Sequence, residues 1–401
     1  MKLTIHKGTN QIGGCVTEIA TQNARVFIDL GADLTKNREK SVSKIDIDGL
    51  TTGNAKNSVL LITHYHGDHI GRISHALPDI PIYMGETAKE INMVKTKRLA
   101  KAERIDKKEL AFLEKTETFK PASKLKFGDI KVTTFMTDHS AFDAYSFLIE
   151  ADGKRIFYTG DFRLHGPRGK KMIESGFFEK YATNIDCLVC EGTNISKPGK
   201  AQTEYELRKE AVKLFENPKH KYVFVLCSSV NIDRIFEFYH AYNEVFKRKR
   251  PFICDPYQKD VLKIVSEKHG KKSDFYNFIP NDAPAKDGFC FLIRYGNAKK
   301  HLDKYFTKYP DESLIIYSMW DGYIGKNEKV NNEELIELLK PYNNIKRLHT
   351  SGHADIETLQ KVEGIIKPRH IIPIHTENPK EFQKLFKNTI LLKDGEPYEP
   401  E

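Results

Sequence analysis

The sequence predicts an α/β protein of more than one domain, and three observations carry that expectation. The chain has 401 residues, more than one ordinary hydrophobic core organises. Its first part alternates short apolar strands with turns. Its middle part alternates strand and helix in the manner of a parallel sheet.

Taken in order, Met1-Lys2-Leu3-Thr4-Ile5-His6 alternates like a strand. Further strands are expected at Arg25 to Leu30, Val59 to Thr63, Ile80 to Met84, Ile130 to Phe135, Tyr145 to Glu150 and Arg155 to Thr159. Between Glu86 and Glu117 the chain turns lysine-rich, with Ile91, Val94, Leu99, Leu110 and Leu113 at helical spacing, and reads as a helical hairpin over the sheet. Thr203-Glu204-Tyr205-Glu206 is a capping-box signature for a helix through Leu214. It follows a loop of Ser196, Lys197, Pro198 and Gly199, where a domain boundary is placed.

Beyond that boundary come a strand at Tyr222 to Cys227, a helix at Ile232 to Phe246, and strands at Phe252 to Cys254, Phe289 to Ile293 and Leu314 to Tyr317. From Ile345 the pattern returns to strand, histidine, helix and strand, and is assigned back to the first domain. The expected division is therefore 1–200, an inserted α/β domain at 201–344, and a return segment at 345–401.

The net charge of +9 suits an anionic partner, although the basic stretches around Lys95 to Lys108 and Lys247 to Arg250 read equally well as solvated helix faces. Six cysteines in a chain of this length do not make a disulfide framework, which fits a reducing, cytoplasmic compartment. Cys187-Leu188-Val189-Cys190 lies in an apolar run without a second pair, and reads as buried strand cysteines. No apolar signal core or bilayer-length run is present, so no membrane partner is expected.

The chemistry is concentrated in His64-Tyr65-His66-Gly67-Asp68-His69, directly after the apolar run Ser58 to Thr63. Imidazole and carboxylate together suit zinc or a similar divalent ion. His64 and His66, two apart in an extended segment, point the same way and would share one metal. Asp68 and His69 fall where a helix begins and would serve a second. Asp29 closes another strand and could accept the spare N–H of a metal-bound histidine, or simply cap a turn. His139 follows a strand and alone reads as structural, while Asp161 follows another and has two carboxylate oxygens with which to bridge two metals, a reading that gains weight only in company.

Together, Asp29, His64 to His69, His139 and Thr159-Gly160-Asp161 resemble, in order, the motifs of the metallo-β-lactamase superfamily. The resemblance implies an αββα sandwich in which His64, His66 and His139 bind one zinc, Asp68 and His69 another, and Asp161 bridges both. Three later motifs look like motifs A, B and C of the β-CASP nucleases, the branch that contains RNase J and the pre-mRNA cleavage endonuclease. These are Glu191-Gly192-Thr193-Asn194, Ser351-Gly352-His353-Ala354-Asp355 and Pro373-Ile374-His375-Thr376. In that branch a β-CASP domain is inserted between motifs A and B, where the α/β insert is read here.

By that resemblance the chain is a two-zinc hydrolase, with manganese as the alternative ion, cutting single-stranded RNA from the 5′ end or internally. A metal-bridging hydroxide would attack the phosphodiester. Asp68 would take part in proton transfer, Glu191 would orient a histidine and hold it protonated, and His353 would steady the phosphorane or protonate the leaving oxygen. His375 would complete the second metal's shell, and a histidine there tilts the substrate toward RNA rather than DNA.

Ser229 and Asn231 stand at a strand-to-helix junction suited to a phosphate, with a plain N-cap as the competing reading. Ser351 and Gly352 would offer backbone N–H groups to a 5′-phosphate. RNase J carries a further domain used in dimer assembly, which leaves open whether this chain forms a homodimer. Trp320, in a segment where relatives carry a glycine-rich turn, could stack on a base or simply pack. The competing functions are a lactonase or esterase of the same superfamily, a DNA-directed nuclease and a non-catalytic RNA-binding module.

Overall fold

The computed structural model describes residues 1–401 except 36–37, 270–277, 280–286 and 328–329. The chain folds into two compact units, Met1–Lys200 with Gly352–Glu401, and Ala201–Ser351.

The first unit is built on two sheets. One has seven strands in the order Pro397–Tyr398, Lys2–Lys7, Val16–Ala20, Arg25–Ile28, Ser58–Leu61, Ile82–Gly85 and Glu117–Phe119. The other has six, in the order His370–Ile374, Cys187–Glu191, Lys154–Tyr158, Ala144–Ala151, Ile130–Thr137 and Lys124–Phe127. Alternation along single strands shows how the layers form. Cys187 and Val189 join Leu3, Val26, Leu61, Phe147 and Ile372 in the core between the sheets. Their neighbours Leu188 and Cys190 face the other way, into a core with Met172, Phe178, Leu359, Val362 and Phe382 from the outer helices. Fully buried strands with both faces covered explain why these segments read as continuous apolar runs. On the first sheet the expected helical hairpin forms as Glu86–Lys101 and Lys108–Lys115.

The topology gathers chemistry at one edge of the second sheet. Lys154–Tyr158, Cys187–Glu191 and His370–Ile374 run parallel. Ile130–Thr137 shares their direction through two antiparallel pairings with Ala144–Ala151. Asp161, Glu191, His375 and His139 therefore all stand at the carboxyl ends of strands on the same side. On the first sheet Asp29 and His64 follow the parallel strands Arg25–Ile28 and Ser58–Leu61 in the same way.

The second unit holds a six-stranded parallel sheet, ordered Phe278–Ile279, Phe252–Ile253, Phe289–Ile293, Tyr222–Cys227, Ser313–Ser318 and Ile345–Arg347. Thr203 and Glu206 make the capping box that the sequence announces, opening the helix Glu204–Glu216. The strand Ile345–Arg347, which the sequence reading placed in the return segment, pairs with Ser313–Ser318, so the chain re-enters the first unit at Gly352. All six cysteines are buried and unbridged. No helix among the described residues is long and apolar enough to cross a membrane.

Candidate metal centre

The centre forms around Oδ2 of Asp161, a buried carboxylate oxygen without a hydrogen bond. It lies 3.0 Å from Nε2 of His69, 3.7 Å from Nε2 of His375, 3.8 Å from Nε2 of His64 and 3.9 Å from Nε2 of His139. Asp68 Oδ2 lies 3.2 Å from Nε2 of His375 and 4.0 Å from Nε2 of His69. His66 Nδ1 lies 3.1 Å from Nε2 of His139. Donor atoms of His64, His66 and His139 form one group within 4.8 Å, and those of His64, His69 and Asp161 form another.

Second contacts fix which nitrogen each ring turns inward. His69 Nδ1 faces the Asp29 carboxylate at 2.7 Å, and His139 Nδ1 faces the carbonyl of Gly352 at 2.7 Å. Both partners can only accept, so both Nδ1 atoms carry a proton and Nε2 is the ring nitrogen left to ligate a cation. Thr63 spends its hydroxyl proton on Asp29, at 2.8 Å from Oδ2, and therefore accepts from His64 Nδ1 at 3.0 Å. His375 Nδ1 is held by the Thr193 hydroxyl at 2.8 Å.

The Nε2 atoms of His64, His69 and His139 thus converge on an anionic oxygen, and those of His64 and His69 have no hydrogen bond. Buried polar atoms are otherwise almost always satisfied. This arrangement fits a bound metal cation. Burial pushes His64 and His139 well below the usual imidazole range, and His66 to about 4, so these rings are neutral and able to ligate. Burial acts the same way on His69, but the Asp161 and Asp29 carboxylates outweigh it and raise that ring well above its ordinary value.

The local backbone is shaped to allow this. Asp29 and His375 adopt left-handed conformations, at φ 64 and φ 56, that L-residues hold only where their surroundings demand it. Gly31 lets the turn carrying Asp68 and His69 approach, since a Cβ there would stand 1.7 Å from the Asp68 carbonyl oxygen.

Glu191 accepts from the backbone N–H of Thr193 and of Ala354, each at 3.0 Å, and its Oε1 is 3.3 Å from Nδ1 of His353. Burial lowers the affinity of His353 for its proton, but Glu191 and Asp161 prevail and raise it to about 8. His353 is 21% exposed where Asp161 is 2% and His69 1%, so with half-buried His66 and Asp68 it forms the solvent side of the cluster.

The predicted phosphate-binding positions have local partners of their own. Asn231 caps the helix Ile232–Phe246 by accepting from Arg234 N, the N-cap that the competing reading expects, and Ser229 accepts from the Gln258 side chain. Gly352, whose N–H is the expected phosphate donor, turns its carbonyl to His139, and a Cβ there would stand 2.4 Å from Ser140 Oγ. Ser351, its neighbour, ends the second unit.

Sequence reasoning missed Thr63, next to His64, and Thr193, two residues after Glu191. It also missed Cys15, whose sulfur lies within 4.8 Å of donor atoms of His69 and His375. Lys95, which donates to the Tyr65 carbonyl at 2.5 Å inside the histidine turn, carries no local signal at all.

Comparison with known proteins points to the same family. A family described as "Beta-lactamase superfamily domain" matches residues 25–223, and one described as "Zn-dependent metallo-hydrolase RNA specificity domain" matches residues 342–390. The chain is 24% identical to Ribonuclease J of Mycoplasma genitalium over 398 residues, covering 94% of this chain and 68% of that protein. It is likewise 24% identical to Ribonuclease J of Helicobacter pylori, covering 94% of this chain but 56% of that longer protein. A crystal structure of a protein of unknown function from Enterococcus faecalis V583 shares the fold with a TM-score of 0.75 at 24% identity, covering 99% of both chains. The chain belongs to the metallo-β-lactamase superfamily, in its RNase J-like β-CASP branch.

Proposed function

We propose that the chain is a metal-dependent phosphodiester hydrolase acting on single-stranded RNA, from the 5′ end or internally. The observation that supports this most is the convergence of unsatisfied imidazole nitrogens on Asp161 Oδ2. In this reading His64, His66 and His139 hold one ion, Asp68, His69 and His375 hold a second, and Asp161 serves both. An all-nitrogen and oxygen set suits zinc, with manganese as the alternative. Two such ions would activate water at neutral pH and offset charge on the phosphoryl oxygens.

The protein's own groups would do the rest. Asp68 and Asp161 are held ionised: burial opposes this, but the neighbouring histidines outweigh it and push both well below the usual carboxylate range. Either carboxylate can accept a proton from attacking water. His353, protonated through Glu191 and standing on the solvent side, can give its proton to the departing 3′ oxygen. Asp29, Thr63, Thr193 and the Gly352 carbonyl keep the imidazoles in the tautomers that ligation needs.

The test is 5′-end-labelled and 3′-end-labelled single-stranded RNA incubated with wild type and with Asp68→Ala. Cleavage by wild type and none by the variant is expected, and the product ladder separates terminal from internal attack. Intact RNA alongside turnover of lactones or nitrophenyl esters would assign the centre to small-molecule hydrolysis instead.

A further inference from the structure

Among the described residues four large apolar side chains are exposed, Leu34, Tyr205, Trp320 and Tyr323. Two of them share one turn of the second unit. Trp320 is 41% and Tyr323 38% exposed, and their rings stand edge to face at 5.4 Å. The turn leaves the carboxyl end of the strand Ser313–Ser318, one of the inner strands of that unit's parallel sheet, the end at which open α/β sheets present ligand sites.

The turn is braced rather than loose. The Trp320 carbonyl accepts from the Tyr317 hydroxyl at 2.9 Å and from Tyr323 N at 3.1 Å, and the Tyr323 carbonyl accepts from Asn332 N at 2.8 Å. The indole lies directly on Gly322, where a Cβ would stand 2.5 Å from two of its ring carbons. The backbone therefore supports one side of the ring and Tyr323 its edge, while much of its area stays in water. A folded chain gains by burying a tryptophan, so a ring held in place yet left wet calls for a ligand. Arg347 borders the turn, exposed and 3.8 Å from Asp321. Two rings among charged neighbours make too small an apolar patch for a stable protein interface.

We propose that Trp320 and Tyr323 form a stacking platform for a base of a single-stranded polynucleotide, with Arg347 close enough to meet its backbone charge. The proposal rests on the RNA reading above and extends it to a binding site in the second unit. Stacking suits a substrate read without sequence, because every base has a π-face.

Trp320 is the single tryptophan of the chain, so emission excited at the red edge, where tyrosine does not absorb, reports on this site alone. The full chain is titrated with 2′-O-methyl oligouridylate, 2′-O-methyl oligoadenylate and an abasic oligomer of equal length. Quenching by the two base-bearing oligomers and not by the abasic one is expected. Trp320→Ala should weaken binding of a dye-labelled oligomer, read by anisotropy, about 5- to 150-fold. Gly322→Ala keeps the indole but pushes it off its seat, and should weaken binding too; circular dichroism and the thermal transition confirm that each variant is folded. Tyr205→Ala, an exposed aromatic elsewhere, should bind as wild type does. Unchanged Trp320 emission on saturation, or wild-type affinity in folded Trp320→Ala, would overturn the platform and leave the nuclease reading standing. Failure of wild type to bind or cut any polynucleotide would overturn both.

Discussion

Replacing Asp29 by asparagine tests the logic of the metal centre at a single hydrogen bond. Asparagine keeps the volume and tolerates the left-handed backbone at φ 64. The Thr63 N–H, 2.8 Å from Oδ1, would hold the amide oxygen where that carboxylate oxygen now sits, turning the amide nitrogen toward His69 Nδ1. An N–H facing Nδ1 favours the tautomer with its proton on Nε2, and that tautomer cannot ligate through the inward nitrogen. Loss of such an outer contact costs metal affinity about 10- to 100-fold, or about 1.4 to 2.7 kcal/mol. The loss should fall on one ion only, because His139 keeps the Gly352 carbonyl and His64 keeps Thr63. Competition against a fluorescent chelator in metal-buffered solution resolves the two affinities. Equal weakening of both ions, or no weakening with the fold intact, would refute the assignment of Asp29 to His69.

Glu191→Gln should move the alkaline limb of kcat/KM to lower pH. His353 is raised to about 8, so the activity that its protonated form supports is lost above that pH, and losing the Glu191 charge brings the loss earlier, by about one unit; an unmoved limb would count against His353 as the acid. Arg234→Met should destabilise the second unit by about 3 to 5 kcal/mol in denaturant titration. It strands the buried Glu204, which Arg234 now meets at 2.7 Å, and adding Glu204→Leu should recover most of the loss. Burial, with Glu204 and Asp233, pushes Glu237 up to about 7, so its folded-state penalty is absent at low pH and grows as pH rises from its ordinary range through 7. Glu237→Gln should therefore stabilise by about 1 to 2 kcal/mol at pH 8, after discounting for solvent screening, and by nearly nothing at pH 4.

What was legible in the sequence was what repeats locally. A continuous apolar run gave the strand Phe289–Ile293, the alternation Ile130-Lys131-Val132-Thr133 gave the strand Ile130–Thr137, and the 3.6-residue pattern gave the helix Ile232–Phe246. Val16–Ala20 escaped notice because Thr17 and Glu18 interrupt its apolar pattern, yet both are buried against neighbouring strands. The helix Pro256–His269 was passed over although Asp255 and Gln258 exchange capping bonds around a first-turn proline, a signal that stands in the sequence. Ile345–Arg347 was misassigned because a three-residue strand does not say which sheet it joins.

In the centre, the carboxylates and imidazoles were readable because ligation needs those side chains at strand ends. The Gly352 carbonyl was not, since any residue has a carbonyl and only the fold brings this one to His139. Lys95 was hidden for a similar reason, its contact with Tyr65 spanning 30 positions between a helix and a turn.

The central claim is that two cations sit on either side of Asp161. Anomalous diffraction at the absorption edge of the bound metal, from crystals of the full chain, tests it most directly. Two peaks are expected, one within ligand distance of His64, His66 and His139, the other within ligand distance of Asp68, His69 and His375, with Asp161 Oδ2 reaching both. A single peak away from Asp161, or none in crystals grown with excess metal, would contradict the account.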